Sequence, residues 1–431
     1  MNFKKLLVSN QGVKKYFHNT LWMFLTYGLR LFTGFFVGLW LARYLGPTEY
    51  GIYNYVISLT TIFITIASFG TIEIIVKRIL HSAEKEYEVL KTGFDLRLLL
   101  SLILFLLLWL YAYLFETSSE VQSFILISSF ALFFQPFEVV DSFFRAKIQV
   151  RKSSIGRMAQ LVISSGTKVS LIVYGAPLKW FYFVFVGDAA FYSALILVAF
   201  LKENKSFFSK TFSTSLMKEI ASESFPLMVI AVTSLMLARF DLVMIGNILT
   251  KSDVGYYSAG SKTIEIGTLF SVLISLSLYP AILNAKKTDA ALYMKRMVML
   301  NRLLVWGGAA LAVLVYFNAD LIVRLLFGVK YSSSVPILKL LSFNILFISF
   351  YQVSYRWYLS ENLQKLMMYK TLCAVTFNIL LNFFLIPRYG INGAAVSSII
   401  TSFIFHFLFE SFFKKTRECF RINTSFLRIG L

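Results

Sequence analysis

Nine ionisable residues stand inside long apolar stretches of this sequence: the cations Arg30, Lys168, Arg239 and Lys262, and the acids Glu138, Asp141, Asp188, Asp241 and Glu265. Inside a bilayer each costs several kcal/mol unless it is partnered or hydrated. Two kinds of chemistry suit such groups. A guanidinium can grip phosphate oxygens with two parallel hydrogen bonds. A carboxylate in a hydrated cavity can exchange H⁺ or Na⁺.

Structural pairing is the competing explanation, and spacing allows it for most of them. Asp241 and Lys262, and likewise Arg239 and Glu265, fall at matching depths on the two sides of the turn near Leu249–Val254, which permits two ion pairs across that hairpin. Lys168 and Asp188 lie at similar depth in consecutive stretches. Asp141 and Arg145 are four apart on one helix and can pair locally. Glu138 lies on the same face just after Pro136, where a kink frees backbone carbonyls. Arg30 differs. It has about thirteen residues of its stretch on either side and no neighbour at its depth in the adjacent hairpin.

The elements that must position these groups follow from composition. Of 431 residues, 58% are hydrophobic and 15% charged, and mean hydropathy is +0.71. A soluble chain could not hide that much apolar surface. A spanning helix needs about 20 mostly apolar residues. Twelve such spans are expected, at 18–44, 51–76, 94–115, 121–147, 155–175, 179–201, 223–249, 253–283, 297–317, 335–359, 366–387 and 391–413. The connections are short, which leaves no room for an extramembrane domain or for the long catalytic outer loop of a glycan polymerase or ligase. The start of the chain turns polar before a signal-peptide core of adequate length forms, so the first span itself is expected to act as the targeting signal.

Lys and Arg set the expected orientation. With the N-terminus in the cytoplasm, 31 of them fall on the inner side and six on the outer. The inner set includes Lys4, Lys5, Lys14, Lys15, Lys85, Arg97, Lys205, Lys210, Arg356, Lys370 and Arg428. This bias places both termini inside and accounts for most of the net charge of +20 without nucleic acid.

Cysteine and histidine usage points to no metal or disulfide. Cys373 and Cys419 make no framework, and His18, His81 and His406 lack ligand spacing. Gly255–Thr263 approaches a phosphate-binding loop, but Ser261 displaces Lys262 and the stretch is a membrane helix. No cofactor is expected beyond a coupling H⁺ or Na⁺.

One stretch recurs. Arg43-Tyr-Leu-Gly-Pro-Thr-Glu-Tyr-Gly-Ile-Tyr53 closes span 1, and Leu249-Thr-Lys-Ser-Asp-Val-Gly-Tyr-Tyr257 closes span 7. At constant offset Thr48 meets Ser252, Glu49 meets Asp253, Gly51 meets Gly255 and Tyr53 meets Tyr257. In each copy a helix stops at a turn (Gly46-Pro47 in the first), a hydroxyl residue can cap the next helix, and a glycine permits close packing. Six spans separate the copies, so the expected halves, 1–205 and 206–431, are six-helix bundles of parallel orientation.

These motifs resemble the polysaccharide repeat-unit flippases of the multidrug/oligosaccharidyl-lipid/polysaccharide (MOP) exporter superfamily. The resemblance rests on Arg30, Arg43–Tyr53, Arg239-Phe-Asp-Leu-Val-Met-Ile-Gly246, Val254-Gly-Tyr-Tyr257 and Tyr389-Gly-Ile-Asn-Gly-Ala-Ala395. It implies an all-α, MATE-like polytopic fold, V-shaped around a central cavity. It also implies a protein of the bacterial cytoplasmic membrane that flips undecaprenyl-diphosphate-linked glycan by alternating access; a monomer is the default expectation, and glycan polymerase machinery is a candidate partner. A cation-coupled multidrug extruder is the alternative within the superfamily. On this reading Arg30, Arg239, Lys262 and Lys168 are the expected diphosphate ligands. Asp141, Glu138, Asp188 and Asp241 are the expected ion-coupling acids, and Gly46, Pro47, Gly51 and Gly255 are signature turn residues.

Overall fold

The computed structural model describes residues 11–81, 86–202 and 213–427, and among these every regular element is helical. Lys4, Lys5, Lys85, Lys205, Lys210, Arg428 and the expected 205/206 boundary lie outside the described residues, and of Lys14, Lys15 and His18 only the helical backbone is described.

Nine helices among the described residues are long and apolar enough to cross a membrane. Two of these each contain two of the expected spans. Gln11–Ser68 turns at Gly46 (φ 71°, ψ 176°) and Gln364–Ser402 at Gly390 (φ 59°, ψ −145°). Both conformations are left-handed, where a side chain would clash with the backbone, so glycine marks each reversal. The expected fifth span is the helix Val150–Val173, which is too polar to count among the nine. With these divisions, each of the twelve expected spans is covered by helical segments, the second and the fourth with breaks.

The chain forms two compact units. One comprises residues up to Tyr44 together with Val56–Val232, and the other Leu45–Tyr55 together with Thr233–Leu431. The helix Thr214–Ile248 therefore begins in one unit and ends in the other. Its first turns are tied to the first unit by Arg78, which reaches Glu219 at 3.1 Å and Glu223 at 2.6 Å.

The first unit packs Ile75, Leu90, Val139, Phe144 and Phe200 into a core. Its fourth span is broken into Ser119–Ser129, two short 3₁₀ turns and Val139–Ala146. Pro136 cannot donate to the ladder, and nearby the Phe134 carbonyl accepts both from Phe137 N at 3.3 Å and from Ser193 Oγ at 2.8 Å. The second unit builds its core around Met297, Leu300, Leu304 and Trp357. The terminal helix Arg417–Thr424 closes it, held by Asn301 Nδ2 donating to the Ile422 carbonyl at 2.7 Å.

The recurring turns meet each other. Thr48 and Ser252, equivalent by sequence, share a hydroxyl–hydroxyl hydrogen bond of 2.7 Å. A Cβ on Gly51 would strike the carbonyl of Lys251, and one on Gly255 would strike that of Pro47. Residues 47 and 251 are themselves equivalent, so the contacts are reciprocal about a local two-fold. The cap of the helix Lys251–Thr288 is Thr250, not Ser252. Thr250 and Asp253 form a capping box, with Asp253 N donating to Thr250 Oγ1 at 3.2 Å. A hydroxyl residue of the motif thus caps this helix, and the neighbouring Ser252 joins the two turns.

Because backbone on the far side cannot yield, Gly51→Ala or Gly255→Ala should cost about 1–3 kcal/mol. Gly166→Ala, whose Cβ would meet open space, should leave stability unchanged. Thermal unfolding of the purified variants in detergent checks both.

Candidate functional site

Asp241 sits in span 7 two positions after Arg239 and is 5% exposed. Its carboxylate accepts three hydrogen bonds of 2.7 Å, from Tyr257 Oη, Ser398 Oγ and Asn382 Nδ2. Those donors come from spans 8, 12 and 11, so four helices of the second unit converge on one side chain. Asn382 also donates to Asn378 Oδ1 at 3.1 Å, and Ser397 Oγ donates to the Asn378 carbonyl at 3.3 Å. Asn382 Oδ1 is buried with no partner among the described residues. No cationic side chain lies within 4 Å of Asp241 among the described residues.

The two ion pairs expected across the hairpin of spans 7 and 8 are therefore not formed. Lys262 turns to Glu265 on its own helix, at 2.9 Å. That i,i+3 pair needs no reach across the hairpin. Arg239 is half-buried, with no carboxylate within 4 Å among the described residues.

In the first unit, pairing dominates. Asp141 meets Arg145 at 2.8 Å, as the i,i+4 spacing implies. Glu138 accepts from Arg157 at 3.1 Å, and that guanidinium also lies over the Tyr192 ring at 3.4 Å. Asp188 binds Lys168 at 3.3 Å and accepts from Ser164 at 2.7 Å. Arg30 is exposed and has no carboxylate within 4 Å among the described residues. Of the four expected phosphate ligands, Lys168 and Lys262 are thus neutralised by neighbours, whereas Arg30 and Arg239 are not.

Three cations counted as inner-side charges are buried. Arg97 is fully buried and donates from Nε to Thr71 Oγ1 at 2.7 Å, while Nη1 and Nη2 have no partner among the described residues. Lys370 bonds Glu410 at 2.6 Å, with side-chain exposures of 4% and 0%. Arg356 is 7% exposed. A count by position along the chain cannot separate a lysine at the boundary from one whose partner lies forty residues away. Asn378 and Asn382, four apart on one helix, both join the Asp241 network. Among the described residues no group of three His, Cys, Asp or Glu side chains could hold a metal.

A family model described as a polysaccharide biosynthesis protein matches residues 16–286. The chain belongs to this family. Among curated proteins it is 26% identical over 227 residues to an uncharacterised membrane protein of Methanocaldococcus jannaschii, covering 51% of this chain and 44% of that one. It is also 26% identical over 190 residues to the capsular polysaccharide biosynthesis protein CapF of Staphylococcus aureus, covering 40% and 44%. The chain thus spans less than half the length of either relative.

Among solved structures it is similar to the lipid II flippase MurJ in an inward closed conformation. The TM-score is 0.76 at 15% identity, covering 95% of this chain and 91% of that one. An inward-facing multidrug resistance MATE transporter of the MOP superfamily aligns with TM-score 0.68 at 14% identity, covering 93% and 96%. The fold is therefore the all-helical fold expected from the spans and the MATE-like one that the resemblance implied, and the protein is a multi-pass membrane protein.

The buried Lys370–Glu410 pair gives a test of how such charges are held. Lys370→Met alone should destabilise by about 3–5 kcal/mol, because it strands Glu410 in an apolar interior. Lys370→Met combined with Glu410→Leu should recover most of that loss. A double-mutant cycle by thermal unfolding measures it, and additive losses would contradict the pairing.

Proposed function

We propose that the protein is a flippase that moves undecaprenyl-diphosphate-linked oligosaccharide repeat units from the cytoplasmic to the outer leaflet, driven by an H⁺ or Na⁺ gradient. It would act as a monomer in the bacterial cytoplasmic membrane with both termini inside, and deliver its cargo to glycan polymerase machinery. Family membership and a fold shared with a lipid II flippase support the class of cargo. The carrying observation is Arg30. Arg157 and Lys168 in the first unit have acidic partners and the fully buried Arg97 donates to Thr71, whereas the exposed Arg30 guanidinium has no carboxylate within 4 Å among the described residues. An unpaired guanidinium in an apolar helix is tolerated where an anion or water meets it, and the cargo brings a diphosphate. Arg239 offers the same chemistry in the second unit.

Asp241 is the coupling acid on this reading. Its environment offers only neutral donors, so the carboxylate is compensated by taking a proton or a small cation. A half-turn of the Asn382 amide would swap Nδ2 for Oδ1 and add an oxygen to such a site. Asp141, Glu138 and Asp188, each with a cationic partner, are poorer candidates.

Arg30→Ala should reduce export of lipid-linked repeat units in cells by about tenfold or more at normal protein levels, since charge-assisted hydrogen bonds contribute about 1.5–3 kcal/mol. Arg30→Lys should retain only part of the rate, because lysine lacks the two-pronged grip. Normal export by Arg30→Ala would remove the role, and export of cationic drugs in place of glycans would favour a multidrug extruder.

A further inference from the structure

Arg356 is built into the second unit in a way that structural packing does not complete. It lies four residues before the end of the helix Val335–Ser360, about 6 Å along the axis from that end. Its guanidinium carbon is 5.2 Å from the Tyr279 ring centroid and 5.2 Å from that of Tyr355. Nη2 donates to Ser275 Oγ at 3.2 Å, and Ser275 in turn bonds Gln352 Oε1 at 3.3 Å. Nε is buried with no partner, and Nη1 makes no hydrogen bond among the described residues. No carboxylate lies within 4 Å of Arg356 among the described residues.

The surrounding rings are equally incomplete. Tyr351 stacks at a tilt on Tyr355, 5.9 Å between centroids, and on His406 at 4.8 Å. Tyr279, Tyr351 and Tyr355 are all half-buried, and none of their hydroxyls makes a hydrogen bond among the described residues. A guanidinium without a counter-ion, ringed by three unengaged phenols, presents donors and no negative charge. Burying such a cation without an anion is costly, and the cation–π contacts offset only about 1–2 kcal/mol.

We propose that Arg356, Tyr279, Tyr351 and Tyr355 form an anion site for a phosphate or diphosphate group. The guanidinium takes two oxygens, the phenols donate to the others, and the ring faces pack against the sugar or prenyl carbons next to the phosphate. The site lies at the end of the unit where Lys286 meets Glu361 at 2.7 Å and donates to the Ser360 carbonyl at 2.6 Å. Under the flippase reading, on which this placement rests, that end faces the cytoplasm. The site would then take the diphosphate of the cargo before translocation.

Binding of farnesyl diphosphate to the purified full chain in nanodiscs tests this, with farnesol as the uncharged control. Arg356→Ala should weaken farnesyl diphosphate at least tenfold, and Arg356→Lys should weaken it less. Tyr279→Phe and Tyr351→Phe, which keep the rings and the fold, should each weaken it several-fold. Competition by inorganic diphosphate at similar concentration would show that the site reads the anion alone. Preference for the prenylated form would show that it reads a lipid headgroup. Unchanged affinity in folded Arg356→Lys and Tyr→Phe variants would overturn the inference. If those variants bind normally while Arg30→Ala fails in cellular export, the inference falls and the flippase reading stands. If they lose affinity while Arg30→Ala exports normally, the Arg30 role falls and the anion site stands.

Discussion

A carboxylate held by three neutral donors in an apolar interior is the constraint around which the second unit is organised. Asp241 draws Tyr257, Asn382 and Ser398 from three other helices, each at 2.7 Å. Such hydrogen bonds stabilise the ionised form but do not cancel its charge, and an isolated buried charge is strongly disfavoured. The donors leave that charge without a cation within 4 Å among the described residues. The donors are fixed to spans 8, 11 and 12, so on the proposed reading a proton or cation taken up at Asp241 bears on the packing of all four helices. This is the route we propose for coupling an ion to helix packing.

The remaining intramembrane charges divide by the same logic. Glu138, Asp141 and Asp188 have cations at 2.8–3.3 Å, and the Lys370–Glu410 pair is sealed from solvent. These hold helices together. Arg30, Arg239 and Arg356 have no carboxylate within 4 Å among the described residues, and all three are arginines, the side chain suited to phosphate. On the proposed reading, the paired cations serve the architecture and Arg30, Arg239 and Arg356 capture anions, while the fully buried Arg97 is held by Thr71.

Much of this was legible in the sequence, for identifiable reasons. Span number followed from hydropathy, and the Asp141–Arg145 and Lys168–Asp188 pairs from spacing and depth. Depth alone misled in the hairpin of spans 7 and 8. Asp241 and Lys262 match in depth, but helix rotation points one at spans 11 and 12 and leaves the other to Glu265. The recurring turn was readable as a repeat, yet its job was not. Only coordinates show Thr48 bonded to Ser252 and each glycine pressed on the other turn's backbone. Arg97, Arg356 and Lys370 were hidden for a related reason. A charge near the end of a span is ordinarily a boundary residue, and its burial depends on side chains distant in sequence.

The central claim is that Asp241 couples an ion to the movement of lipid-linked glycan. The most direct measurement reconstitutes the protein in proteoliposomes and follows the appearance of lipid-linked oligosaccharide in the opposite leaflet, with and without an imposed Na⁺ or H⁺ gradient. The account predicts faster movement under one of those gradients for the native protein, and no response to either gradient for Asp241→Asn. Movement that ignores both gradients in the native protein, or a gradient response that survives Asp241→Asn, would contradict it.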